Sequence, residues 1–377
     1  MLNIAFIGFG TRSAYLWEKM LKPTGECNLV AIADPNWEHI KNTHSSEFPD
    51  CHYYATAEEM LESEKPHGVV IGTGCNLHTK YACLVAKYNI PLFLEKPVSI
   101  DEEQLEELER VLPTMNDKTV VSFPLRFTNL ITKVKEMLDS GCIGDIAQVQ
   151  AVNNVYYGRC YYHGWYRDDS LTGGLWVTKA THDIDYLSDL IGQGMPISIC
   201  ATESKMVFKG DKPAGLLCIE CAEQDSCPES PKNLSEGDRH LYNTSYCCFA
   251  SDTGNHDSGT AIVQYKNGLH AVYTQNFIVR KHAGKRGARF IGLKGTLEFD
   301  FNTSEIIYID HYSGKAEKIA VSSANGHGGG DGRLAQNFIN VMKGTEKSIA
   351  PLEDGIMSIK VCLACKRSAI SHTFEKP

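Results

Sequence analysis

Residues 3–14, NIAFIGFGTRSA, decide how the first third of the chain folds. NIAFIG is a short apolar run, the pattern of a strand buried on both faces. Gly8 and Gly10 follow at once, and SAYLWEKMLK (13–22) then takes helical spacing. Strand, tight turn and helix in that order open a parallel βαβ unit. Gly8 permits the turn, and Gly10 lets the backbone N–H groups around Thr11, Arg12 and Ser13 approach a pyrophosphate at a helix N-terminus. Ser13 stands where such loops usually carry a third glycine.

The same alternation continues outward. LVAIAD (29–34), HGVVIGT (67–73), PLFLEK (91–96) and TVVSFPLRF (119–127) read as further strands. LHTKYACLVAKYN and SIDEEQLEELERVL read as helices, the second opening on a Ser or Asp cap with acidic residues in its first turn. Asp34 ends the second strand 24 residues after Gly10, where a carboxylate binds both ribose hydroxyls and repels a 2′-phosphate. DPNWEHI offers no adjacent arginine to accept that phosphate, so NAD is expected rather than NADP.

The character of the chain changes near Arg126. IAQVQAVNNV reads as a strand; AIVQYKNGLHAVYTQNF and ARFIGLKGTLEFDF read as hairpins turning at KNG and KGT. PLEDGIMSIKVCLACKRSAISH returns to helix. The expected fold is therefore α/β: a Rossmann dinucleotide-binding domain over 1–123, then an α+β domain over 124–377 with a large, open, mostly antiparallel sheet. The last helix is expected to be able to pack back on the first domain. Length favours two domains, since 377 residues exceed the usual single-domain size.

Net charge is −9 and the sequence pI about 5.9, which argues against nucleic acid or an anionic membrane as the main partner. No apolar run reaches the length of a spanning helix, and MLNIAFIGFG lacks the marks of a signal peptide. Fourteen scattered cysteines fit reduced thiols in a cytoplasmic protein. Cys218, Cys221 and Cys227, with Cys247 or Cys248, supply enough thiols for a zinc site. The spacing of five is untypical, however, and no second C-x2-C follows in that region, so no metal is assigned. Residues 205–245 read as a long surface insertion, and RKHAGKR (280–286) as a solvated basic loop.

LWVTKATHDIDYLSDLIG (175–192) projects as one amphipathic helix. Ala180, Ile184, Leu187 and Ile191 form its apolar stripe, and Lys179, His182, Asp183 and Tyr186 share another face. Just before it, VYYGRCYYHGWYRD (155–168) crowds Tyr156, Tyr157, Tyr161, Tyr162, Trp165 and Tyr166 together. Aromatic faces of this kind stack on sugar rings. NGHGGGDGRL (325–334) reads as a glycine-rich loop entering a helix, with Asp331 as cap and His327 a candidate substrate contact.

With EKP at Glu95–Pro97 the sequence resembles the Gfo/Idh/MocA oxidoreductases. GFG, AIADP, TGCNLH, LEKPVS, GCIGDI, WYRDDSLTGG, THDID, KNGLHAVY and GLKGTLEFD carry the likeness in the family's order. The resemblance implies a substrate site between two domains, with Lys96 near the nicotinamide and Trp165 and Arg167 close to the cofactor. It further implies that Thr73, Cys75, His78 and Glu95 border the cofactor and that His182 is the catalytic histidine. A dimer or tetramer through the open sheet is expected on the same ground. Gly74 and Cys75 replace the family's usual Pro and Asn, and Thr178 stands where many relatives carry a catalytic Asp. Lys179 and Asp183 flank His182 instead, a K-x-x-H arrangement often associated with sugars and glycosides.

The function expected is NAD-dependent transfer of a hydride to or from a secondary hydroxyl of a sugar, cyclitol or glycoside, with oxidation at ring carbon three of a glycoside as the narrower reading. Lys96, Lys179 and His182 are the catalytic candidates. Tyr157, Thr178, Lys179, His182, Asp183 and His327 are the substrate-side candidates. Two rivals remain: a glycosidase using tightly held NAD for transient oxidation and elimination, and a non-enzymatic sugar or NAD sensor. A sensor has no need of a base beside a nicotinamide.

Overall fold

The computed structural model describes residues 1–233, 245–322 and 325–377. The chain forms two compact units, Met1–Ile131 with Ser323–Ile359, and Thr132–Ser322 with Lys360–Pro377.

Among the described residues the first unit holds a six-stranded, all-parallel sheet. Its strands are β1 (Leu2–Ile7), β2 (Cys27–Ala33), β3 (His52–Tyr54), β4 (Gly68–Ile71), β5 (Leu92–Leu94) and β6 (Thr119–Val121), in the order β3-β2-β1-β4-β5-β6. β4, β5 and β6 are buried at every position, as a parallel sheet covered on both faces requires. The order reverses between β1 and β4, the switch point at which doubly wound sheets open a crevice at their carboxyl ends. The expected helix after β1 is an α-helix, Thr11–Leu16, running into a π-turn, Trp17–Leu21. Trp17 packs edge-on against Phe6 and Phe48. Asp101 caps the helix Glu102–Met115 by accepting from the Gln104 N–H.

The division of the chain differs from a single cut at 123/124, because a late segment completes the first unit. Leu334, Phe338 and Ile339 of the helix Gly330–Met342 belong to the same core as Ile4, Phe6 and Phe93. Gly68 makes room for that helix: a Cβ there would stand 2.3 Å from Met342 Sδ and 2.8 Å from Phe338 Cζ.

The second unit holds an eight-stranded sheet among its described residues. Its strands are β7 (Ile146–Asn154), β8 (Ser198–Ser204), β9 (Ser258–Gln264), β10 (His270–Asn276), β11 (Lys285–Gly292), β12 (Gly295–Asp300), β13 (Glu305–Asp310) and β14 (Ala316–Ala320), in the order β14-β13-β12-β11-β7-β10-β9-β8. Both expected hairpins form, β9–β10 and β11–β12. β7 and β10 run parallel; every other pairing is antiparallel. Strict alternation of burial along β10 marks a sheet with one closed face.

Two readings of this half need correcting. Residues 175–192 are a π-turn, Trp176–Ala180, followed by an α-helix, Thr181–Ile191. Asp183, Asp185 and Tyr186 are buried along with the apolar stripe, so the helix has no open polar face. The segment 205–245 is more than a surface insertion. Phe208 stacks at 4.1 Å on Tyr162, and Cys218, Ser230, Cys247 and Cys248 are buried nearby. Residues 234–244 lie outside the described part. No helix among the described residues is long and apolar enough to cross a membrane.

Candidate functional site

The loop after β1 has the backbone a dinucleotide needs. Gly8 sits at φ +80°, and a Cβ on it would stand 2.8 Å from Thr73. A Cβ on Gly10 would meet nothing within 4 Å, so the approach to the helix start is open. The first N–H groups of a helix lack carbonyl partners within it and face a ligand with partial positive charge. At the tip of β2, Asp34 Oδ2 accepts from the Phe9 N–H at 2.9 Å and Oδ1 from the Asn36 N–H at 2.8 Å. These bonds fix the carboxylate while leaving further lone pairs for ribose hydroxyls. Ser13 is fully buried, and its oxygen would stand 2.2 Å from a Cβ on Gly72. Its hydroxyl makes no hydrogen bond among the described residues, so Ser13 fills the place of the third glycine by packing. These residues fit NAD.

Beside this loop lies a strut that joins residues far apart in sequence. The Arg12 guanidinium donates to Glu95 Oε1 at 2.8 Å, to Asp331 Oδ1 at 2.9 Å and to Ser122 Oγ at 3.3 Å. Two buried carboxylates require such a partner, so Arg12 and Glu95 are engaged with each other and their expected contact with the cofactor gives way to support of the loops. Asp331 does not cap its helix. Gly329 takes that position, and the Asp331 carboxylate in the first turn accepts from Arg12 and from His327 Nδ1, the latter at 2.7 Å. Burial raises its pKa, but His327 and Arg12 outweigh burial and hold it below the usual carboxylate range. His327 itself adopts φ +41°.

His78 is buried, with Nδ1 2.7 Å from the Pro97 carbonyl and Nε2 3.2 Å from that of Thr73. Burial depresses its pKa, against the pull of the two carbonyls that flank its ring nitrogens. His78 thus ties the loop after β4 to the residue following Lys96. Cys75 is buried as well, its thiol pushed up to about 11 by burial. Thr73 Oγ1 donates to the Gly74 carbonyl at 3.2 Å.

In the second unit the candidates gather on the segment 176–191. Lys179 is buried, and its ammonium donates to the Tyr157 hydroxyl. Enclosure of that hydroxyl raises its pKa, but Lys179 and Arg286 outweigh the effect and leave it below tyrosine's ordinary value. Asp183 is fully buried. Oδ2 accepts from Asn153 at 2.6 Å and Tyr273 at 2.8 Å, and Oδ1 accepts from Arg286 at 2.8 Å. β11 pairs with β7 so that Arg286 lies opposite Asn153, which brings both donors to one carboxylate. His182 stands half-buried between Lys179 and Asp183 in the chain.

Several expectations are corrected here. Asp183 cannot bind substrate, because its oxygens already serve three buried donors. Thr178 is buried and its hydroxyl donates to the Thr172 carbonyl at 2.7 Å, away from any ligand. Arg167 is buried under the Tyr246 ring and grips Asp252 with both terminal nitrogens, at 2.8 and 2.6 Å, so it braces the unit. Arg286 is no solvated-loop residue. Of the aromatic cluster, Tyr161 and Tyr162 are buried, while Tyr156, Tyr157 and Trp165 remain exposed. Cys218, Cys221, Cys227, Cys247 and Cys248 line one small pocket with His163, whose pKa burial lowers to about 4. No three metal-ligating side chains among the described residues are placed to share an ion.

Comparison with known proteins accords with this geometry. The model of the oxidoreductase family's NAD-binding Rossmann fold matches residues 2–123, and that of its C-terminal alpha/beta domain matches residues 135–374. An oxidoreductase of Bacillus subtilis, YteT, is 25% identical over 387 aligned residues, spanning 90% of this chain and 88% of its own. Inositol 2-dehydrogenase of Rhizobium meliloti is 26% identical over 225 residues, 57% of this chain and 62% of that enzyme. Levoglucosan dehydrogenase, solved with NADH and levoglucosan, shares the fold with a TM-score of 0.76 at 16% identity, over 100% of this chain and 99% of that one. With a glycine turn, a ribose carboxylate and both family models along its length, this chain belongs to the Gfo/Idh/MocA oxidoreductases and takes NAD as its cofactor.

Proposed function

We propose that the enzyme moves a hydride between NAD and a secondary hydroxyl or keto group of a sugar, cyclitol or glycoside. One observation carries this reading. On a helical segment whose first three turns are otherwise buried, His182 stays half-buried between a Lys179–Tyr157 pair and an Asp183–Arg286 pair.

NAD, when bound, supplies the hydride acceptor or donor. The backbone at Gly8, Gly10 and Thr11 would hold its pyrophosphate, with Ser13 packed beneath, and Asp34 its ribose. Oxidising an alcohol also requires that the hydroxyl proton leave. We assign that proton to the imidazole of His182, whose ordinary pKa of about 6.5 suits a base near neutrality. Lys96 stabilises negative charge on the same oxygen. His78 and Glu95 position the residues on either side of Lys96. Trp165, exposed and stacked 4.0 Å from Tyr166, offers a flat face in the second unit. The names of two similar proteins, inositol 2-dehydrogenase and levoglucosan dehydrogenase, support a ring polyol as substrate. Oxidation of a glycoside at ring carbon three is the narrower proposal, resting on the K-x-x-H order and on exposed Tyr156 and Tyr157.

A panel of inositols, hexoses and glycosides, followed by NADH absorbance, tests the substrate class. His182→Ala should lower turnover about 100-fold and leave NAD affinity, measured by calorimetry, within about twofold. Unchanged turnover with intact NAD binding would end the assignment.

A further inference from the structure

Lys179 is a buried cation that no carboxylate balances among the described residues. It is 4% exposed, its ammonium donates to the Tyr157 hydroxyl, and it lies 4.6 Å from the centre of that ring and 5.9 Å from that of Tyr161. Arg286 nearby is different, because Asp183 balances it at 2.8 Å. Two cations thus face one carboxylate, and the positive charge left over sits against a phenol. A buried charge without a counter-charge is expensive. The group that already accepts the ammonium's hydrogen bond can supply the missing negative charge by losing its own proton.

We propose that Tyr157, paired with Lys179, is a second acid–base residue of this enzyme, taking the proton of the substrate hydroxyl as phenolate and returning it as phenol. This rests on the alcohol-oxidation reading above and adds a residue to it. In oxidation the substrate O–H bond breaks and its one proton forms the O–H bond of Tyr157 instead of an N–H bond of His182, the two groups being alternative acceptors of that proton. The C–H electron pair leaves with the hydride to NAD, and the C–O bond becomes C=O. Reduction reverses each change.

The groups around Tyr157 favour this oxygen over its neighbours. Lys179 reaches it from the π-turn and Arg286 from β11, both cationic. Cys160 and Tyr161 face it from the short helix Cys160–His163, and Tyr156 packs edge-on at 5.2 Å. Burial pushes the Cys160 thiol up to about 11 and Tyr161 far above its usual value, so neither competes for the role. Tyr157 keeps 37% of its surface exposed, enough for a substrate hydroxyl to reach it.

The test uses the full-length protein, with and without NAD, titrated while the tyrosinate band is followed in the ultraviolet. One of the 17 tyrosines should ionise ahead of the rest. That signal should vanish in Tyr157→Phe, move back toward tyrosine's ordinary range in Lys179→Met, and persist in His182→Ala. Residual turnover of His182→Ala should rise with pH in step with the signal, and fall at least about tenfold further when Tyr157→Phe is added. An early signal that survives in Tyr157→Phe, or none at all, overturns the inference. Absence of the signal with His182→Ala still inactive removes only Tyr157. Presence of the signal, lost in Tyr157→Phe, with no alcohol oxidised leaves the pair standing and removes the substrate reading.

Discussion

Asp183 shows how far a residue's role can lie from its place in a motif. It sits next to His182, yet three donors from β7, β10 and β11 converge on it, and none is near it in sequence. It holds Arg286, whose charge acts on the Tyr157 hydroxyl. Asp183→Ala would strand a buried guanidinium, and breaking such a pair from one side costs about 3–5 kcal/mol. Urea unfolding should show that loss, with Asp183→Asn losing less because it can still bond Arg286. Equal stability of the alanine variant and the parent would mean that Arg286 finds solvent.

At the scale of elements, close approach is set by missing side chains. Gly68 lets the helix Gly330–Met342 lie against β4, and Gly68→Ala should destabilise by about 1–3 kcal/mol through overpacking. The nearest obstacle is the flexible end of Met342, so Met342→Ala should recover part of the loss, as a double-mutant cycle in denaturant would measure. If the two changes simply add, the helix does not rest where described. Elements were the most legible feature of the sequence. NIAFIG, the KNG and KGT hairpins and the Asp101 cap follow from local periodicity and turn chemistry. The π-turn Trp176–Ala180 is invisible at that level, because a wider turn leaves composition unchanged and shifts only which residues share a face. The same shift changes which of Thr178, Lys179, His182 and Asp183 share a face. Arg286 lay in a run that looked like a basic loop; its partner is 103 positions away, and only strand pairing joins them. Ser122 and Asp331, which complete the strut around Arg12, escaped for the same reason.

For the whole molecule, stability against acid should be set by carboxylates paired with arginines and a histidine. Asp331 beside His327 and Arg12, Glu229 beside Arg159 and Arg280, and Asp252 beside Arg167 all lie below their ordinary pKa values. Burial opposes the shift in the first two, whereas the Arg167 hydrogen bond leads in the third. A depressed folded pKa gives stability that is complete above the unfolded value, near 4, and is lost as pH falls toward the folded one. Because burial also holds His78 and His163 below the ordinary imidazole value, the urea midpoint should decline gently from about pH 6.5 and drop more steeply below about 4. Asp331→Asn should blunt that drop while lowering stability at neutral pH. A midpoint level from pH 7 down to 5 would mean that burial does not hold those two imidazoles neutral.

The return of Ser323–Ile359 to the first unit also governs the order in which the protein can mature on the ribosome. Strands β1 to β6 emerge early, but Leu334, Phe338 and Ile339, which close their core, are translated only after the entire eight-stranded sheet. During that interval Phe93 and its neighbours lack their cover, and exposed apolar surface of this kind is what chaperones engage. The nucleotide-binding half, although first in the message, is finished only when Ile359 has been made, just before Lys360–Pro377 completes the other unit.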